Sequence, residues 1–173
     1  MAVQGEVVKA RPGNETLVAS LWDAQLLDQR GKPIAGVADG YDFGAAHSGG
    51  VSAYLGQVVP DEEPEIVLHG EWNGRRVLGS TLLVLKRQGE RLRVILNVDL
   101  YESVTDVPED ENGEADYDAA TSTDTTCEVE LLADGRVRKR CREEGAAGKS
   151  ASKKAPSQTA VLRWDPGAFR FVP

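Results

Sequence analysis

Between Arg91 and Tyr101 apolar and polar residues alternate. Leu92, Val94, Leu96, Val98 and Leu100 fall on one side of an extended chain, and Arg91, Arg93, Asn97 and Asp99 on the other; Ile95 alone breaks the pattern. A period of two held over this length marks a half-buried β-strand. Residues 80–87 supply one neighbour, with Gln88-Gly89 as the turn. A three-residue loop there sets Lys86 opposite Glu90, Val84 opposite Leu92 and Leu82 opposite Val94. Residues 65–72 lead into Asn73-Gly74, a strong hairpin signal because both residues tolerate positive φ. Residues 65–101 therefore read as a three-stranded meander.

A second hairpin is centred on Ala133-Asp134-Gly135. A two-residue loop puts Cys141 opposite Glu128. A three-residue loop, with Gly135 left-handed, puts Cys141 opposite Cys127. The other side chains favour the second register. Glu130 then faces Arg138, Glu128 faces Arg140, Leu131 faces Val137 and Val129 faces Lys139. Each pair contributes a few tenths of a kcal/mol up to about 1, and all act in one direction. The Cys pair falls on a non-hydrogen-bonded site, where Cα atoms lie roughly 4.5 Å apart. A Cys127–Cys141 disulfide is expected, with a contribution of roughly 3 kcal/mol in the chain-entropy treatment. Neither cysteine has a second Cys or His at metal-ligand spacing. Such a bridge favours the periplasm, cell surface or exterior over the cytoplasm.

The remaining elements follow the same logic. Residues 160–164, the turn Asp165-Pro166-Gly167 and residues 169–172 form a last hairpin, and residues 51–59 one more strand. Residues 17–29 fit a short helix with Val18, Leu21, Trp22 and Leu26 on one face, or a strand; the β-rich surroundings favour strand. Residues 31–50 are glycine-rich and read as a long loop. Residues 106–126 are acidic and rich in Ser and Thr; residues 143–158 are Gly, Ala, Ser and Lys without periodicity. Both are expected to be mobile loops. The expected architecture is one all-β domain over 1–173, a sandwich or strongly curved meander of antiparallel hairpins with about eight to ten strands.

Candidate chemistry is sparse. Asp110, Asn112, Gly113 and Asp116 match part of a calcium-loop spacing within a run of carboxylates free of Lys and Arg, so Ca2+ is the one cofactor to consider. Aligning Gly113 on the loop glycine, however, puts Pro108 at the first-carboxylate position and Ala119 at that of the bidentate Glu. Ala46-His47-Ser48-Gly49-Gly50 resembles a nucleophile elbow. The strand-to-helix setting that motif requires is absent, and the one later histidine is His69. A small hydrolase using Ser48 is thus an alternative reading, as is a calcium-stabilised module. Gly148-Lys149-Ser150 lacks the first glycine of a phosphate loop, since Glu143 stands there.

Arg136, Arg138, Lys139, Arg140 and Arg142 form a basic cluster, extended by Lys149, Lys153 and Lys154. No aromatic residues interleave it for base stacking, and the formal net charge of −8 opposes nucleic acid. No apolar run is long enough to span a bilayer, and the first residues do not read as a signal peptide. Trp72 is placed beside Arg75 across the Asn-Gly turn, a geometry suited to cation–π contact, and serves as a candidate anchor for a partner. With two histidines in the chain, general acid–base catalysis has few candidates. The functional expectation is a non-enzymatic binding or structural module of a bacterial-type cell-envelope or secreted assembly. Arg136, Arg138, Arg140 and Trp72 are its candidate contacts to a protein partner.

Overall fold

The computed structural model describes residues 6–10, 15–19, 24–27, 30, 32–37, 51–61, 63–73, 76–109, 111–147 and 153–173. Among these residues the fold is all-β, without a helix. The strands are β1 (Glu6–Ala10), β2 (Glu15–Ala19), β3 (Ala24–Leu27), β4 (Pro33–Val37), β5 (Val51–Gly56), β6 (Glu65–Asn73), β7 (Val77–Gln88), β8 (Arg91–Asp106), β9 (Thr121–Leu131), β10 (Val137–Ala147), β11 (Lys153–Lys154), β12 (Gln158–Asp165) and β13 (Arg170–Val172). The segment expected as helix or strand is strand wherever it is described, as β2 and β3. The expected long loop 31–50 contains β4; residues 38–50 lie outside the described residues.

The long strand β8 organises the sheet. One edge pairs with β7 from Arg91 to Val104. The other edge is shared. Its start pairs in parallel with β4, with Gly36 opposite Arg91 and Val37 opposite Leu92. Its end pairs with β9, from Tyr101 to Asp106. The hydrogen-bonded path β5-β6-β7-β8-β4-β3-β2-β1 returns β1 to the side of β5, so these strands form a strongly curved sheet. From the end of β8 the sheet continues through β9, β10, β12 and β13.

This branching buries both faces of β6, β7 and β8. On one face Ala35, Ile66, Leu68, Leu83, Leu85 and Leu92 form a core against which Val51, Leu55, Trp72 and Val94 pack. On the other face Val67, Val84, Ile95, Leu96 and Val98 meet Val59, Cys127, Val137 and Phe171, with Trp164 and Phe169 alongside. Trp164 holds Phe169 edge-on at 5.3 Å and Phe171 tilted at 5.8 Å.

The alternation of residues 92–100 therefore does not lie on one face, as expected from sequence. Val84 pairs with Leu96 and Leu85 with Val94, so Ile95 is an extra residue on β8. A bulge of this kind reverses the facing of everything beyond it. Leu92 and Val94 serve the first core; Leu96, Val98 and Leu100 serve the second, together with Ile95. A second shift leaves Leu100 unpaired between Tyr101 and Asp99. The β7–β8 turn also differs from expectation: its loop has two residues rather than three, and the partner of Lys86 moves by three positions. Gly89 and Glu90 form it, Gln88 pairs with Arg91, and Lys86 stands opposite Arg93. Gly89 has φ of 63°, the positive value that the first central residue of a type II′ turn requires.

Lys86 points into the fold. Its Nζ lies 2.6 Å from Glu65 Oε1 and 2.9 Å from Asp61. Glu65 is fully buried, and its Oε2 accepts the backbone N–H groups of Val58 (2.7 Å) and Val59 (3.0 Å). Burial acts to lower the Lys86 pKa, but hydrogen bonds and charge attraction from Glu65 and Asp61 outweigh it and raise the pKa above its ordinary value. This network fixes the β5–β6 connection, which delivers Val59 to the second core. Pro60 of the same connection sits under the β9–β10 hairpin, 3.1 Å from where a Cβ on Gly135 would lie.

Candidate functional site

The β9–β10 hairpin has the three-residue register expected from its side chains. Cys127 pairs with Cys141, Glu128 with Arg140, Val129 with Lys139, Glu130 with Arg138 and Leu131 with Val137. Gly135 carries φ of 77°. Cys127 and Cys141 are joined in a disulfide with Cα atoms 4.0 Å apart. Cys127 faces the second core, so by strand alternation the charged residues at even positions lie on the outer side.

There the arginines already have local partners or neighbours. Arg136 lies 2.6 Å from Asp134. That side-chain hydrogen bond holds the Asp134 carboxyl below the usual carboxylate range and raises the guanidinium. Arg138 lies 2.8 Å from Glu130. Arg140, with Thr126, Glu128, Cys141, Arg142 and Ser157, lines a recess of about 110 Å³.

The expected neighbour of Trp72, Arg75, lies outside the described residues. Trp72 stands opposite Gly79, and Asn73 pairs with Leu78, so the connection is wider than a two-residue Asn-Gly turn; Gly74 also lies outside the described residues. The wider connection lets the indole cross the neighbouring strand, where Gly79 makes room. A Cβ there would sit 2.6 Å from the Trp72 ring. The indole N–H donates to Thr81 Oγ1 (3.2 Å), and the Thr81 hydroxyl donates to Asp99 Oδ1 (2.9 Å). Ring position and ring rotation are both set. Beside the ring opens a recess of about 420 Å³ lined by Glu71, Trp72, Asn73, Leu78, Gly79, Ser80 and Tyr101. Tyr101 OH donates to Asp124 Oδ1 across 3.4 Å.

These features adjoin. Tyr101 lines the Trp72 recess, and its cross-strand partner Thr126 lines the Arg140 recess. Thr126 in turn pairs with Arg142. Leu78 is shared with a third recess of about 230 Å³ that includes Ser103, Thr105 and the exposed Tyr117. Sequence reasoning singled out Trp72 and Arg140 separately. It missed Glu71, Gly79, Ser80 and Tyr101, whose contribution depends on register. Only Gly79 carried a signal, as a glycine inside a strand, which often marks close approach.

Of the proposed calcium ligands, Asn112 and Asp116 lie among the described residues. Asp116 Oδ1 accepts the N–H groups of Asp118 (3.0 Å) and Ala119 (3.2 Å), and its own N–H donates to Pro108 O (2.8 Å). That carboxylate oxygen closes a turn. Asn112 is exposed, and Asp110 lies outside the described residues. Of the acidic stretch 106–126, Asp106 ends β8 and Thr121 to Thr126 belong to β9. Ser48 lies outside the described residues, and His69 is half-buried in β6 opposite Leu82.

No family model matches the chain, and no curated protein or solved structure matches it.

Proposed function

We propose that this chain is a non-enzymatic binding module of a bacterial-type cell-envelope or secreted assembly. It holds an extended segment of a protein partner across the exposed ends of β6 to β8 and the outer face of β9 and β10. The observation that carries the reading is the adjoining pair of recesses, one built on Trp72 and Tyr101 and the other on Arg140 and Arg142. Trp, Tyr and Arg are the side chains that dominate binding energy at protein interfaces. From β6 to β10 the surface crosses four strand spacings (~4.8 Å each), roughly 19 Å, which about six residues of extended chain span.

The disulfide supports an oxidising, extracytoplasmic setting; periplasm, cell surface and exterior are all compatible with it. A displayed library of random peptides tests the reading. Selection on the wild-type protein should enrich sequences that no longer bind a Trp72→Ala or Arg140→Glu variant. Enrichment of peptides that bind both variants as well as wild type, or no enrichment at all, overturns it.

A further inference from the structure

We infer that the recess beside Arg142 receives the carboxylate of an acidic side chain in the bound segment. The inference rests on the reading of this face as a binding surface and adds the chemistry of its anchor. By strand alternation Arg138, Arg140 and Arg142 project from one side of β10, in line with Arg136 just before it. Three of these four have an acid at hand. Arg136 is held by Asp134 and Arg138 by Glu130, and Arg140 stands opposite Glu128. Arg142 stands opposite Thr126 instead. Among the described residues no carboxylate forms an ion pair with Arg142. Asp124, the next acid along β9, accepts the Tyr101 hydroxyl. The ladder of opposed charges is thus one carboxylate short, at the position where Thr126 stands.

The recess lies at that gap. Its lining includes Thr126, Ser157 and two exposed arginines, Arg140 and Arg142. Glu130 reaches across the ribbon to Arg138; threonine is too short to reach so far, and space is left. The volume, about 110 Å³, falls below that of a small-molecule site, roughly 300 Å³ upward, and suits a single charged side-chain head. Arg140 and Arg142 are two residues apart on one strand, roughly 6.7 Å between Cα atoms, so their guanidinium groups can close on one carboxylate from two sides. Each guanidinium offers a planar fork that matches a carboxylate, and the hydroxyls of Thr126 and Ser157 can donate to the lone pairs left over. Glu128 is the one acid in the lining. With one carboxylate against two guanidiniums the recess keeps a net positive charge, and a lysine head meets repulsion there.

The test follows the backbone amides of Thr126 and Arg142 by NMR. Pentapeptides acetyl-Gly-Gly-Xaa-Gly-Gly-amide, blocked at both ends, are titrated with Xaa as glutamate, aspartate, glutamine or lysine, and sodium sulfate serves as a free oxyanion. The glutamate and aspartate peptides should shift these resonances saturably, and the glutamine and lysine peptides should not. Arg142→Gln should weaken the glutamate peptide roughly three- to fivefold, and Glu128→Gln should strengthen it roughly twofold. Thr126→Glu supplies the missing carboxylate from the chain itself and should abolish binding while the rest of the amide spectrum stays in place. Equal shifts from the glutamine and glutamate peptides, saturation by sulfate at lower concentration than the glutamate peptide needs, undiminished binding in Thr126→Glu, or silence from every probe overturns the inference. Selected library peptides that depend on Arg140 but carry no acidic residue leave the surface reading standing and remove this one. Glutamate that binds here while no selected peptide depends on Trp72 or Arg140 does the reverse.

Discussion

The β9–β10 and β7–β8 hairpins make opposite use of their two faces. In β9–β10 one face is buried and carries Cys127, Cys141 and Val137, and the other is exposed and carries Glu128, Glu130, Arg138 and Arg140. Slipping the register by one residue would bury charge, so only one register is acceptable. In β7–β8 both faces are buried. Leu83 and Leu85 serve one core while Val84 serves the other. There the apolar pattern permits several registers, and bulges at Ile95 and Leu100 are absorbed while Ile95, Leu96, Val98 and Leu100 all stay with the second core; only toward the far end of the ladder are Leu78 and Val104 exposed. A register is written into a hairpin by the contrast between its faces, not by its hydrophobicity. The two hairpins are accordingly held by different forces, which can be separated by substitution.

The largest effect is expected at the buried end of β7. Lys86→Ala leaves the Glu65 carboxylate, at 0% exposure, without its cation. Breaking a buried pair on one side costs about 3–5 kcal/mol, read as a shift of the urea midpoint. Replacing both partners, as Lys86→Met with Glu65→Gln, should recover much of that loss. The same pair predicts a pH dependence. The Lys86 pKa is raised in the folded state. Its contribution is therefore complete below the ordinary lysine value, about 10.4, and is lost as pH rises through the folded value. The wild-type protein should lose stability in that alkaline window more steeply than the double variant. A loss below about 1 kcal/mol for Lys86→Ala would mean that β7–β8 is held by its apolar faces alone.

Next in size is the staple of the other hairpin. Replacing Cys127 and Cys141 together with serine should lower stability by roughly 3 kcal/mol, the value for closing a loop of this length. The intact mass of non-reduced wild-type protein should show a deficit of two hydrogens, which reductant removes. Hydrogen exchange should show the β9–β10 amide pattern unchanged in the serine variant. A changed pattern would show that the bridge, rather than the contrast between faces, selects the register.

The same distinction explains what could be read in advance. The β9–β10 register was legible down to each pair because Glu130 and Arg138, or Glu128 and Arg140, make sense in only one alignment. The meander 65–101 was legible as strands, yet its facing was not. Ile95 stood out as the single misfit, and it marks the bulge; alternation cannot tell a misfit from a change of face when both faces are apolar. The β4–β8 pairing joins Gly36 to Arg91 across a long crossover, and no local pattern encodes that. The Trp72 recess was half-legible. The ring could be named, but its seat on Gly79 and its neighbours Tyr101 and Glu71 follow only once Asn73 is known to pair with Leu78. Lys86 was set opposite Glu90 near a hairpin end, and nothing local shows that Glu65, far along the chain, is buried beside it.

The smallest expected effect bears most directly on how the face contrast works. Glu130 and Arg138 stand opposite each other 2.8 Å apart, with side chains 60% and 47% exposed. A double-mutant cycle to alanine should give a coupling of about 0.2–1 kcal/mol that shrinks with added salt. That is too little to hold the hairpin, and it need not do so. What fixes the register is the cost of the alternative, in which these charges would turn toward Val137 and the second core. The charge-swapped protein, Glu130→Arg with Arg138→Glu, should therefore keep both the register and nearly all of the stability. Replacing Glu128, Glu130, Arg138 and Arg140 together with leucine makes both faces apolar, and the exchange pattern of β9–β10 should then become heterogeneous. A sharp pattern in that variant would assign the register to the Ala133-Asp134-Gly135 turn, whose left-handed Gly135 and Asp134–Arg136 contact do not depend on the faces at all.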